Sequence, residues 1–85
     1  MVNTLQLDSF MDQILDLNIS INELTYSLVN LENQVQNVFG LLRKTLENRI
    51  ELIKSCIKVK RQYLSKLILI RNQMQDDLRS ETRGM

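Results

Sequence analysis

The sequence predicts an all-α protein, a two-helix hairpin or one long stuttered helix, that forms a coiled coil or multi-helix bundle on oligomerisation. Apolar residues recur at the spacing of a coiled coil in both halves of the 85-residue chain. Proline is absent and glycine occurs twice, so the turn signals that separate strands are missing. With one cysteine and no histidine, helix packing or oligomerisation is the means left to stabilise so small a domain.

The first half of the chain carries an uninterrupted coiled-coil seam. Apolar residues there alternate in steps of three and four over about five heptads. Each side chain contributes about 1.5–3 kcal/mol once buried, so the seam favours association strongly. We expect a helix over about residues 5–39. The seam consists of Leu7, Phe10, Ile14, Leu17, Ile21, Leu24, Leu28, Leu31, Val35, Val38 and Leu42.

A second apolar stripe lies on the same predicted helix, away from the seam. It consists of Leu15, Ile19, Tyr26 and Val29. The positions that flank the seam carry a single charge, Glu32, where a parallel homodimer would carry pairs of Glu and Lys. Because a helix that is apolar on more than one side requires more than one neighbour, we predict a bundle of three or four helices.

The second half of the chain repeats both features in a shifted phase. We expect a helix over about residues 43–79, followed by a frayed tail over 80–85. Lys60 and Arg71 fall in the seam series, where a long cation extends to solvent, pairs with a carboxylate or specifies register. The apolar seam residues are Leu46, Ile50, Ile53, Ile57, Leu64, Leu67, Met74 and Leu78. The second stripe of this helix is Leu52, Cys56, Val59, Tyr63 and Ile70.

The region around Gly40 separates the two halves. Two steps of four occur in succession there, through Leu42, which indicates a stutter in one continuous helix or a break between two. Glycine favours the break, whereas the apolar window over residues 38–42 is unlike an exposed loop. The charges favour a hairpin, and an antiparallel dimer of two long helices would give the same complementarity between chains. Residues 1–42 carry five acidic and no basic residues, whereas residues 43–85 carry eleven basic and five acidic residues, so antiparallel pairing brings opposite charges together.

No catalytic, cofactor-binding or metal-binding site is predicted. The chain lacks histidine, a glycine-rich phosphate loop and paired cysteines, and we therefore expect no enzyme activity. Cys56 is expected to be a buried small hydrophobic residue. A basic cluster is expected to be a solvated face or to meet an acidic partner helix, because it lacks the interleaved aromatics of a nucleic-acid site. The cluster is Lys54, Lys58, Lys60, Arg61 and Lys66.

The function that these patterns predict is that of a structural or scaffolding subunit. One domain, residues 1–85, would assemble by coiled-coil packing with itself or with other small helical subunits. The alternative is a helical chaperone or regulator that shields a helix of one client protein. A third, less favoured function is a basic module that binds membrane or nucleic acid. No signal peptide is visible, and the longest aliphatic run, residues 67–70, is far shorter than a membrane span. We expect a soluble intracellular protein, cytoplasmic by default, with the nucleus as an alternative.

Overall fold

A computed structural model describes the backbone of residues 4–83 and the side chains of residues 5–81. It contains two α-helices, α1 (Thr4–Val35) and α2 (Gly40–Arg83), and residues 4–83 include no strand. The helices pack against each other along their length, and the linker over residues 36–39 is short, so they run antiparallel. The predicted all-α fold is confirmed, and of its two forms the chain adopts the hairpin rather than the continuous helix.

The start of α1 lies within one residue of the expected position, whereas the other three helix ends differ from the expectation by three or four residues. α1 ends at Val35, because the polar residues that follow provide local hydrogen bonds that replace the helical ones. The backbone N–H of Asn37 donates to the carbonyl oxygen of Gln34 at 3.1 Å. α2 continues to Arg83, so residues 80–83 of the expected frayed tail are helical, and residues 84–85 lie outside the described part.

Gly40 marks the reversal of the chain direction. Its φ is +68°, in the left-handed region that costs a residue with a Cβ about 1–2 kcal/mol. A Cβ placed on Gly40 would meet no atom within 4 Å. The turn therefore requires glycine for its backbone conformation and not for lack of space.

The seam between α1 and α2 is the core of the hairpin. Six of the predicted seam residues are buried, and the remaining ones within residues 5–81 are half-buried, except the exposed Leu42. Because two helices make a single contact layer, the molecule is a rod of 68 × 15 × 14 Å, and none of the side chains over 5–81 is completely enclosed. The residues that are buried are Ile14, Ile21, Ile50, Ile57, Leu67 and Met74.

The linker end of the rod is an apolar tip. All residues over 39–45 are exposed, which indicates that the first turn and a half of α2, about 9 Å, extends past the end of α1. Leu42, predicted as a seam residue, is for this reason 57% exposed. Phe39 and Leu41 are also exposed, so three large apolar side chains share this end of the molecule.

Candidate interaction surface

The second stripe of α1 lies on the outside of the hairpin. At 100° per residue, the stripe centres about 150° from the seam, so it faces away from α2. Its members are exposed, and Tyr26 is 72% exposed. We call this surface the α1 outer stripe. The α1 outer stripe is Leu15, Ile19, Tyr26 and Val29.

The second stripe of α2 lies on one flank of the hairpin. It centres about 90° from the seam by the same geometry, and its members are also exposed. Cys56, expected to be buried, is exposed, because α1 covers the seam and not this flank. We call this surface the α2 outer stripe. The α2 outer stripe is Leu52, Cys56, Val59, Tyr63 and Ile70.

Among the side chains of residues 5–81, no ion pair joins α1 to α2. Within residues 5–81 the ion pairs are Arg43 Nε–Glu47 Oε1 at 3.0 Å and Lys54 Nζ–Glu51 Oε1 at 3.8 Å. Both lie within α2, and such exposed pairs contribute little to stability. The attraction expected between the acidic and basic halves is therefore a longer-range field within the hairpin, without direct contacts.

The two cations of the seam differ in their surroundings. Lys60 is half-buried and lines a groove of about 310 Å³ beside Asp16 and Tyr63. Arg71 is also half-buried, and one Nη2 hydrogen bond reaches Oδ1 of Asn72 at 3.2 Å. The Nε atom of Arg71 is buried and has no hydrogen-bond partner in the described part of the chain. Burial of an unpaired N–H group carries a desolvation cost.

The predicted basic cluster is divided between two sides of the rod. Lys54, Lys58 and Arg61 line a groove of about 420 Å³ together with Thr25. Lys60 lines the other groove. The cluster therefore does not form one continuous basic patch.

Further exposed apolar residues belong to neither predicted stripe. Phe39 and Leu41 form the apolar tip with Leu42. The apolar window over residues 38–42 contains this group, but its spacing does not show that the side chains lie past the end of α1. Leu5, Met11 and Leu69 are also exposed, and exposed apolar residues of this kind are ordinary on a protein surface.

Two other kinds of site are absent from the described residues. Residues 4–83 bring together no group of three or more acidic or cysteine side chains in a position to bind a metal ion. In the same range, neither α1 nor α2 contains a stretch long and apolar enough to cross a membrane. Comparisons with protein-family models, with curated proteins and with solved structures found no match to this chain.

Proposed function

We propose that this protein is a structural subunit that joins a larger assembly by packing its outer stripes against other helices. The observation that carries the proposal is the exposure of nine apolar residues in two stripes, on helices whose seam is already occupied. Single exposed apolar residues are common, whereas an extended apolar surface indicates an interaction site.

The arrangement of the stripes favours helices as the partners. The members of each stripe are three, four or seven residues apart, so they share one face of the helix and one neighbouring helix could cover that face. The angle of about 90° between the seam and the α2 outer stripe suits a four-helix bundle, in which each helix has two neighbours.

The single thiol provides a direct test. Cys56 is the one cysteine of the chain and lies in the α2 outer stripe, so its rate of maleimide alkylation reports whether that stripe is covered. We expect fast alkylation in the dilute chain and slow alkylation in the assembly isolated from the native source. Equally fast alkylation of Cys56 in both would contradict the proposal for this stripe.

A pulldown tests both stripes together. We expect helical partners in stoichiometric amounts with the wild-type chain and their loss with Ile19→Asp or Val59→Asp. Ser27→Asp and Ser65→Asp are matched controls, because they place the same charge at exposed positions outside both stripes. If the stripe variants and the controls retain the same partners, the stripes are not the contact surface.

A further inference from the structure

We propose that one partner is a second copy of this chain, bound so that the α1 outer stripe of one copy packs on the α2 outer stripe of the next. This inference rests on the proposed function and names the partner of both stripes. The contact is head-to-tail: two different surfaces meet, rather than two identical ones.

The charges beside the stripes carry the inference. On α1, Asp12 and Glu23 lie seven residues before and four residues after Ile19, which places them beside the stripe on the helix surface. On α2, Arg49 lies three residues before Leu52 and Lys66 three residues after Tyr63. All four charged residues are exposed. None of them forms an ion pair with another residue of the described part.

Opposite net charges on the two helices select the order of packing. α1 contains five acidic and no basic residues, and α2 contains eleven basic and five acidic residues. Packing α1 on α1 would place acid against acid, and packing α2 on α2 would place an excess of cations against cations. Only α1 on α2 pairs opposite charges, because like charges across an interface oppose association.

The dimensions of the two stripes agree with this contact. The α1 outer stripe spans residues 15–29, about 21 Å, and the α2 outer stripe spans residues 52–70, about 27 Å. The α1 outer stripe of one copy and the α2 outer stripe of the next are therefore similar in length. The two stripes face different sides of the hairpin, so a copy at either end of a head-to-tail oligomer keeps one stripe uncovered. Such contacts therefore continue into open chains of molecules unless they close into a ring.

A complementation experiment distinguishes this contact from the others. Ile19→Asp blocks the α1 outer stripe and Val59→Asp blocks the α2 outer stripe. Sedimentation velocity over a range of concentrations should show growing oligomers for the wild-type chain and monomers for each variant alone. An equimolar mixture of the two variants should give a 1:1 dimer and nothing larger, because it contains one intact pair of surfaces. The Ser27→Asp and Ser65→Asp controls should assemble as the wild type does.

Charge reversal gives a second test at exposed positions outside the core. We expect Asp12→Lys with Glu23→Lys to weaken self-association at least tenfold, and Arg49→Glu with Lys66→Glu to do the same. Mixing the two double variants should restore association, because each acidic stripe again meets a basic one. Circular dichroism should show unchanged helicity in both double variants, since all four positions are exposed.

Three results would overturn the inference. They are a single-stripe variant that still dimerises, a mixture of blocked variants that stays monomeric, and a wild-type chain that stays monomeric at millimolar concentration. The last result would leave the proposed function intact if the pulldown still recovers stripe-dependent partners. If the stripe variants also retain those partners, the proposed function fails as well.

Discussion

The seam and the outer stripes are built from the same residue types but lie in opposite environments. Ile57 and Val59 are two residues apart on α2 and are both β-branched and apolar, yet Ile57 is 6% exposed and Val59 is 63% exposed. The difference arises from their angular positions on the helix, because α1 covers one face of α2 and leaves the adjacent flank open. Apolar periodicity alone therefore predicts that a face will be covered, and the fold determines whether the same chain covers it.

The largest expected effect separates these two environments directly. Ile57→Ala should lower the free energy of unfolding by about 3 kcal/mol, because it removes buried methyl groups and leaves a cavity in the seam. Val59→Ala should change it by less than about 0.5 kcal/mol in the dilute chain. Urea denaturation followed by circular dichroism at low concentration measures both. Equal losses would show that the α2 outer stripe is already covered in the dilute chain.

The turn between the helices tests how far the seam depends on the linker. Gly40→Ala should lower the free energy of unfolding by about 1–2 kcal/mol, because alanine resists the left-handed conformation at this position. Gly40→Asn should cost less, since asparagine tolerates that region better. Denaturation of the two variants in parallel gives the comparison. An alanine variant as stable as the wild type would mean that the turn tolerates a different backbone conformation.

Arg71 places a cation in the seam, so its replacement by an apolar residue is expected to stabilise the hairpin. Arg71→Met should raise the free energy of unfolding by about 1 kcal/mol, because it removes a half-buried, incompletely hydrogen-bonded charge from the apolar seam. Arg79→Met is the matched control at an exposed position of the same helix and should change stability by less than about 0.5 kcal/mol. Thermal unfolding of both variants provides the measurement. Destabilisation by Arg71→Met would indicate that the guanidinium group contributes contacts worth more than its desolvation.

The smallest effect is expected at the surface of α2. Glu47→Gln removes the exposed ion pair with Arg43 and should lower the free energy of unfolding by about 0.3–0.5 kcal/mol at low salt. The loss should shrink further at high salt because mobile ions screen the pair. Denaturation at two salt concentrations measures this. A loss above about 1 kcal/mol would show that this ion pair contributes more than an exposed pair usually does.

The heptad pattern was sufficient to predict the helical fold and the buried positions of the seam, because burial against one neighbouring helix follows the period of the helix. It left the hairpin and the continuous helix open, since both satisfy the same seam. The backbone of Gly40 decides between them. The exposure of Leu42 depends on how far α2 extends past α1, and the unpaired Nε atom of Arg71 depends on which groups lie opposite it. Neither property is encoded in local spacing.

The residues of the candidate surface could be predicted from the sequence, but their contacts could not. The members of both outer stripes could be identified from spacing, because apolar residues at helical intervals remain after the seam is assigned. The absence of ion pairs between α1 and α2 within residues 5–81 depends on the register of the hairpin, which the spacing of the stripes does not give. Cys56 illustrates the limit, because its residue type suggests burial and its position on the flank leaves it exposed.

The short linker also controls which helix occupies the seam. Residues 36–39 tether the two helices so closely that each meets the other at an effective concentration in the millimolar range or above. Below that concentration, a helix from another molecule competes poorly for the same contacts. If the turn at Gly40 straightens, this advantage is lost, and two chains would exchange helices while keeping every contact of the seam, as in domain swapping. The conformation of one glycine thus separates a self-contained rod from an interlocked pair.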